Sequence, residues 1–158
     1  CVMLTGDRSE IAETFAESFG ITEVHAEVLP SEKAGIISRY QDRGEIVAMV
    51  GDGINDAPAL TQADVGIALG TGTDIAMESG DIVLVKGDLA GVVRTAILAE
   101  ATFKKIKQNL FWAFIYNVIA IPLAFLGLLH PVIAEGAMAL SSINVVWNSN
   151  RLRKTHLS

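Results

Sequence analysis

The sequence predicts an α/β protein in which a parallel β-sheet domain is followed by a hydrophobic helical hairpin. Short apolar runs alternate with helical patterns through the first 100 residues, which is typical of βαβ units. From Leu89 onward the pattern becomes one long helix, and its later part, Leu110 to Leu129, is uncharged over the length that crosses a bilayer. Acidic residues outnumber basic ones seventeen to six up to Glu100, whereas six basic residues accompany a single acid after it. We therefore expect two parts, residues 1–100 and 101–158, in different surroundings.

Five strands and three helices are predicted before the long helix. Ser9 and Ser31 are candidate helix N-caps, and Gly20 and Gly44 stand where glycines often end a helix. The predicted strands are Val2–Thr5, Val24–Val28, Ile46–Val50, Val65–Leu69 and Asp81–Val85, and the predicted helices are Ser9–Phe19, Ser31–Arg43 and Asn55–Ala63.

The end of the chain predicts a membrane hairpin with both ends in the cytoplasm. A second apolar run, Val132 to Trp147, is a weaker candidate span because Glu135 and several small polar residues interrupt it. Three lysines precede the first run and residues 151–154 carry three more basic side chains, while the turn at His130 has neither lysine nor arginine. The positive-inside rule then orients both ends toward the cytoplasm. A core hairpin of a soluble protein is the alternative.

Composition excludes some classes of function. The acidic first part argues against a nucleic-acid partner. Cys1 is the only cysteine, so neither a disulfide nor a thiolate metal cluster can form within this chain. The chain starts without methionine inside a strand-like run, and on this ground we expect a piece of a longer protein.

The strongest motif is the ten-residue string from Met49 to Pro58, at the end of a predicted strand. Asp52, Asn55 and Asp56 place two carboxylates and an amide on a glycine-rich turn at a strand end, where α/β sheets bind ligands. Hard oxygen ligands suit Mg²⁺, which needs only one or two protein carboxylates. A common Gly-Asp-Gly turn is the alternative, although the string as a whole is less easily explained in this way.

Two weaker motifs suggest contacts to an oxyanion. Thr5, Gly6 and Asp7 stand at the end of the first strand, where a hydroxyl and free backbone N–H groups can cradle an anion. Lys33 falls in the first turn of a predicted helix, where a cation is disfavoured unless an anion lies nearby. An ordinary turn and a solvated surface lysine are the respective alternatives. Together with the acidic loop, these groups are the parts that phosphoryl transfer requires.

This set resembles the phosphorylation domain of P-type ATPases, which belong to the haloacid-dehalogenase-like superfamily with a Rossmann-type sheet. The resemblance implies that Thr5 and Lys33 contact an aspartyl phosphate and that Asp52 binds Mg²⁺. It also implies that Asn55 and Asp56 support the acidic loop. The expected catalytic residues are Thr5, Gly6, Asp7, Lys33, Asn55 and Asp56, the expected Mg²⁺ ligands are Asp52 and Asp56, and ATP is the expected substrate of the complete pump.

The hairpin resembles the last two membrane helices of copper-transporting P-type ATPases. By that resemblance Tyr116, Asn117, Met138 and Ser142 would help to bind the transported Cu⁺, and the Met138 thioether suits a soft ion. Zinc- and cadmium-exporting relatives carry a lysine and an aspartate in these helices, and this chain has neither. Silver stays open as the ion, a core-filling role for Met138 is the alternative, and Glu135 is a hypothetical exit ligand.

The sequence contains no Asp-Lys-Thr-Gly segment, so the aspartate that accepts phosphate is absent from it. We expect this chain alone to form no phosphoenzyme, to need the N-terminal remainder of the pump as its partner, and to lie in a membrane as a multi-pass protein, the plasma membrane in a prokaryote. A soluble phosphatase would need its own nucleophilic aspartate and no hairpin. A membrane-anchored binding or regulatory fragment is the second alternative.

Overall fold

The computed structural model describes residues 1–52, 54–70, 79–128 and 130–154. The chain divides into two compact units, Cys1–Val92 and Val93–Ser158.

The first unit alternates strands and helices, as the sequence predicts. Most of the predicted elements keep their place and lose or gain one to three residues at their ends, while Ser9–Phe19 and Val65–Leu69 match fully. The elements are β1 Val2–Leu4, α1 Ser9–Phe19, β2 Glu23–His25, α2 Pro30–Gln41, β3 Ala48–Gly51, a 3₁₀ turn Ile54–Asp56, α3 Ala57–Gln62, β4 Val65–Leu69 and β5 Ile82–Leu84.

The strands form two parallel sheets and not the single sheet that the sequence predicts. β1 pairs with β2 in the register Val2 to Glu23, and β3–β4–β5 form the second sheet, with Ala48 opposite Val65. The prediction of one sheet is wrong because, within the described residues, no strand hydrogen-bonds the two pieces together. The prediction of parallel pairing is confirmed, since every strand pair is parallel.

Two of the predicted helix N-caps need correction. Ser9 is the first residue of α1, and Arg8 occupies the N-cap position without a side-chain hydrogen bond. α2 begins one residue earlier than predicted, at Pro30, so Ser31 is not its N-cap. Gly20 does end α1 in the left-handed conformation, with a φ of 68°, which confirms the predicted glycine stop.

The core of the first unit lies between α2, α3 and the second sheet. Ile37, Leu60 and Ala68 are fully or almost fully buried there, together with Met49 and Ala59. Burial of a side chain such as Ile37 contributes about 1.5–3 kcal/mol to stability. This packing fixes the N-terminus of α2 and the 3₁₀ turn relative to the end of β3.

Two carboxylates connect the loops around this core. Asp64, between α3 and β4, accepts a hydrogen bond of 2.8 Å from the backbone N–H of Val47 and one of 3.2 Å from the Gln41 side chain. These donors, the Val47 N–H first, lower the pKa of Asp64 below its usual value. Asp81 accepts a 2.8 Å bond from the backbone N–H of Gly66 and so connects the entry of β5 to β4.

The second unit is helical. α4 runs without a break from Ala90 to Phe125, which confirms the predicted long helix, and α5 spans Pro131–Asn150 before a short 3₁₀ turn, Arg151–Lys154. The Asp88 carboxylate accepts a 2.8 Å bond from the Ala90 N–H at the start of α4. Leu129, the predicted end of the first span, lies outside the described residues.

α4 alone among the described helices is long and apolar enough to cross a membrane, with a mean hydropathy of 1.4 over its best window. Large apolar side chains stand exposed along it, such as Phe111, Ile121 and Phe125. α5 does not pass the same test within the described residues, so a second membrane span stays a prediction.

Candidate functional site

An ion pair between Lys33 and Asp56 is the centre of the candidate site. The Lys33 Nζ lies 2.6 Å from Asp56 Oδ1, and the two side chains are only 14% and 12% exposed. The alternative of a solvated surface lysine is therefore wrong for Lys33. Because so little of either side chain is exposed, solvent screens the attraction between the two charges only weakly. The two charges therefore attract each other more strongly than those of an exposed surface ion pair.

The first turn of α2 positions Lys33. Pro30 opens the helix, and the backbone N–H of Leu29 donates a 3.0 Å hydrogen bond to the Glu32 carboxylate. The backbone N–H of Glu32 in turn donates to the Leu29 carbonyl at 2.9 Å, so the end of the helix is closed locally. Lys33 follows Glu32 at the N-terminal end of α2, where the helix dipole disfavours a cation. Asp56 supplies the compensating negative charge.

Asp56 is held against the end of β3. It is the last residue of the 3₁₀ turn, and the residue as a whole is 9% exposed. A Cβ added to Gly51 would lie 2.7 Å from the Asp56 Cβ, closer than two such carbons approach. The glycine at position 51 is thus required by the close approach of Asp56 to the strand.

The Thr5–Asp7 loop forms a separate hydrogen-bonded turn after β1. Thr5 Oγ1 donates to Asp7 Oδ2 at 2.9 Å and accepts from the Asp7 backbone N–H at 3.1 Å. The backbone of Thr5 also bonds to His25 and Val28, which fastens the loop to the end of β2. A Cβ on Gly6 would meet the Val28 carbonyl oxygen at 3.6 Å, an ordinary contact, so space alone does not require this glycine.

Asp52 and Asn55 stand exposed at the end of β3. Since β3 ends at Gly51, the Asp52 carboxylate lies at the carboxyl end of a parallel strand, the position where α/β sheets bind ligands. Hard carboxylate oxygens on a solvent-accessible strand end fit Mg²⁺ with several retained waters. Asp56 has one carboxylate oxygen on Lys33 and a second that could contribute. The described residues contain no cluster of three or more such ligands, so these side chains would hold Mg²⁺ only together with water or phosphate oxygens.

The structure brings some of the predicted site residues into contact and leaves others apart. Lys33 contacts Asp56, and Thr5 contacts Asp7. Among the described contacts none joins the first pair to the second, so the full set of catalytic residues is not connected by direct hydrogen bonds.

Two features of this site are not predicted by the sequence. The motifs present Lys33 and Asp56 as separate candidates and do not indicate that they pair. The second feature is Glu27, whose backbone has a φ of 57°, a left-handed conformation that favours glycine. The Glu27 N–H donates to the Asp7 carbonyl at 2.9 Å, which connects this strained residue to the Thr5–Asp7 loop. Position 27 carries no glycine or asparagine, the usual sequence signals for such a backbone.

The four residues predicted to contact a transported ion lie on α4 and α5. The Asn117 amide donates to the Ala113 carbonyl at 2.9 Å, which leaves its own oxygen as a potential ligand. The Ser142 hydroxyl donates to the Met138 carbonyl at 3.2 Å, and the Met138 side chain is exposed. Tyr116 packs near the Trp112 ring, with 6.4 Å between ring centroids. Among the described residues no side-chain hydrogen bond joins these four across the two helices.

Part of the first unit resembles a known protein family. Residues 1–64 match the haloacid dehalogenase-like hydrolase family. This agrees with the parallel strands and intervening helices of that part of the chain.

The chain resembles curated proteins over nearly the whole of its own length. It is 58% identical to a copper-exporting P-type ATPase of Staphylococcus epidermidis over 99% of the chain, and 57% identical to a probable copper-exporting P-type ATPase V of Mycobacterium tuberculosis over 96%. Each alignment covers 20% of the relative, so the chain spans about a fifth of the length of the curated relatives it matches.

Solved structures agree with this relationship. A zinc-transporting PIB-type ATPase in its E2·Pi state superposes with a TM-score of 0.88 at 38% identity, over 96% of this chain and 25% of that one. The catalytic domain of the CPx-ATPase CopB-B matches 58% of this chain and 36% of its own, with a TM-score of 0.56 at 36% identity. The sequence similarity to these P-type ATPases extends over residues of both units.

Proposed function

We propose that this chain forms the C-terminal part of a copper-exporting P-type ATPase. In this proposal residues 1–100 belong to the phosphorylation domain, and residues 101–158 form the last two membrane helices and a cytoplasmic C-terminus. The observation that carries the proposal is the 58% identity to a copper exporter over 99% of the chain, because it includes both units. The zinc-transporting structure is similar at only 38% identity.

In the proposed pump, Lys33 neutralises the oxygens of the transferred phosphoryl group. Its ammonium group has three donors, and Asp56 takes one of them at 2.6 Å. The remaining donors are free to contact phosphate oxygens, and the ion pair holds the ammonium in place before the phosphoryl group arrives. Asp56 therefore acts by positioning Lys33 as well as through its own negative charge.

The Thr5–Asp7 loop would bind the same group from the end of β1. The Thr5 hydroxyl, now turned toward Asp7 at 2.9 Å, can rotate to donate to a phosphate oxygen, and the backbone N–H of Gly6 adds a second donor. Fixed donors of this kind stabilise charge that develops in the transition state.

Mg²⁺ fits the carboxylates at the end of β3. Asp52 would supply the principal ligand, Asp56 the oxygen that Lys33 leaves free, and Asn55 would support the loop between them. When bound, Mg²⁺ neutralises phosphate charge and orients the phosphoryl group. The phosphate-accepting aspartate would come from outside this sequence, which contains no Asp-Lys-Thr-Gly segment.

The transported ion is copper(I) in this proposal. Met138 offers a thioether, a soft ligand, while Asn117, Ser142 and Tyr116 offer oxygen. The amide and hydroxyl protons of Asn117 and Ser142 are used within their own helices, so their oxygens stay available to a cation. Silver(I), which is also soft, would be accepted by the same ligands.

A chimeric pump tests the proposal. The matching fifth of the staphylococcal relative is replaced by this chain, and ATP hydrolysis is measured in membrane vesicles with copper(I), silver(I) or zinc(II). We expect stimulation by copper(I) and silver(I), and a large loss of that stimulation in Met138→Leu. The control Met3→Leu, which changes a methionine in β1, should keep the full stimulation. A chimera that forms phosphoenzyme but responds to zinc alone would contradict copper as the ion. One that forms no phosphoenzyme would contradict the pump function itself.

A further inference from the structure

A polar cluster joins α4 and α5 at the end of the hairpin that is remote from the turn. Lys105 Nζ donates to Asn148 Oδ1 at 3.0 Å, and Asn148 Nδ2 donates to Asn109 Oδ1 at 2.8 Å. Asn109 Nδ2 donates to Ser149 Oγ at 2.8 Å, while Gln108 Oε1 accepts from Lys105 and Asn148, both at 3.3 Å. We call Lys105, Gln108, Asn109, Asn148 and Ser149 the hairpin-end cluster.

Every hydrogen-bond partner of Lys105 in the described chain is neutral. Its ammonium is partly buried, and its acceptors are the amide oxygens of Gln108 and Asn148. After Glu100 the only acid in the sequence is Glu135, which lies on α5 more than three turns before Asn148, about 20 Å at 1.5 Å per residue. The Lys105 ammonium thus has hydrogen-bond acceptors but no negatively charged partner among them, and an anion would stabilise its charge.

Further cations surround the same end of the hairpin. Because Asn148 contacts Lys105, the residues that follow α5 lie at the level of the lysines of α4. Lys104 and Lys107 are exposed on α4, and Arg151 and Arg153 are exposed in the 3₁₀ turn after α5. Glu100, one turn before Lys104 on α4, is the acid nearest to this positive charge in the sequence, and no ion pair in the described part of the chain joins it to Lys104 or Lys105.

The neighbouring side chains match the boundary between hydrocarbon and water. Trp112 lies one turn beyond Gln108 on α4, and Trp147 directly precedes Asn148 and is 70% exposed. Tryptophan is enriched at this boundary, where its ring is apolar and its N–H stays wet. The apolar part of α4, which is able to span a membrane, continues from there.

We propose that the hairpin-end cluster binds the phosphodiester of an acidic phospholipid, with Lys105 as its central contact and Arg151 and Arg153 beside it. A lipid headgroup fits better than a soluble anion because the cations flank an apolar helix at the depth where headgroups lie. An acidic headgroup fits better than phosphatidylcholine because choline brings a positive charge toward the same cations. The inference rests on the membrane location in the proposed function.

Native mass spectrometry tests this directly. The 158-residue chain is released from micelles that contain equal amounts of phosphatidylglycerol and phosphatidylcholine, and the lipids that stay bound are counted. We expect retention of phosphatidylglycerol in preference to phosphatidylcholine. Lys105→Gln should reduce that preference about fivefold, as should each arginine replaced by glutamine. Lys86→Gln, which removes an exposed lysine of the first unit, should leave it unchanged.

A second variant separates charge from folding. Lys105→Arg keeps the positive charge and should keep the lipid preference, whereas a loss of preference in Lys105→Gln alone points to the charge. Equal retention of both lipids by the unaltered chain, or no change in Lys105→Gln, would overturn the lipid site while leaving the pump proposal intact. Failure of the chain to enter the mixed micelles would overturn both.

Discussion

The Lys33–Asp56 pair offers the most quantitative test of the candidate site. Exposed ion pairs contribute about 0–1 kcal/mol, and breaking a buried one costs about 3–5 kcal/mol because one charge is left unpaired. At 14% and 12% exposure and 2.6 Å, this pair lies closer to the buried limit. We therefore expect Lys33→Met or Asp56→Asn to destabilise the first unit by about 2–3 kcal/mol.

The double variant isolates the interaction between the two charges from the other contacts of each side chain. Lys33→Met combined with Asp56→Asn removes both charges, so neither is left unpaired. Its cost should be smaller than the sum of the two single costs by about 2 kcal/mol, the coupling energy of the pair. Asn keeps the size of Asp, which matters because Gly51 leaves little space beside position 56.

Hydrogen exchange measured by mass spectrometry reads out these costs in the chain. Amides of β3 pair with β4 and report the opening of the sheet beside the site. Each kcal/mol of lost stability should raise their exchange rate about fivefold. Lys86→Gln serves as the control for removal of a lysine charge. A coupling energy below about 0.5 kcal/mol would refute the reasoning, because that value is typical of a solvated pair.

Three further predictions concern the loops around the site. Gly51→Ala should destabilise the first unit by about 1–3 kcal/mol, measured by the same exchange, because its Cβ would lie 2.7 Å from the Asp56 Cβ; wild-type exchange rates would contradict this. The pKa of Asp64 is lowered in the folded state, so its contribution to folding stability is complete above the usual carboxylate pKa. That contribution is lost as the pH falls through the lower folded-state pKa. Asp64→Asn should therefore be less stable than the wild type near neutral pH and should lose less stability on acidification below about pH 4. Unfolding followed by circular dichroism at several pH values measures this, and a dependence on pH parallel to that of the wild type would count against it. Glu27→Val should cost about 1 kcal/mol in thermal unfolding, since a branched side chain fits a φ of 57° poorly, whereas Glu27→Gly should be tolerated; the opposite order would exclude backbone strain there.

Much of the fold could be predicted from local patterns. The bounds of α1 and β4 follow from periodicity and from flanking turn residues, and Gly20 stops α1 as predicted. Helix caps were less predictable, because serine caps a helix only where its own backbone is extended, and here Arg8 and Leu29 have the extended backbone. At α2 the Glu32 carboxylate and Pro30 close the helix end and displace the cap from Ser31 to Leu29.

The pairing within the site could not be predicted in the same way. Lys33 and Asp56 are far apart in sequence, and only the packing of α2 against α3 and the 3₁₀ turn brings them within 2.6 Å. Likewise, the single sheet was inferred from the alternation of elements, but alternation says nothing about which strands are neighbours. Local sequence also gives no indication of the left-handed backbone at Glu27, since glutamate rarely adopts it.

ATP-dependent transport by the chimeric pump is the most direct test of the central claim that this chain supplies half of a copper site and half of a phosphoryl-transfer site. Uptake of copper(I) and of zinc(II) is measured in inverted vesicles, with Lys33→Met and Met138→Leu as variants. The account predicts copper(I) uptake that both substitutions abolish, Lys33→Met by slowing phosphoryl transfer and Met138→Leu by weakening ion binding. Zinc(II) uptake in place of copper(I), or copper(I) uptake that survives both substitutions, would contradict it.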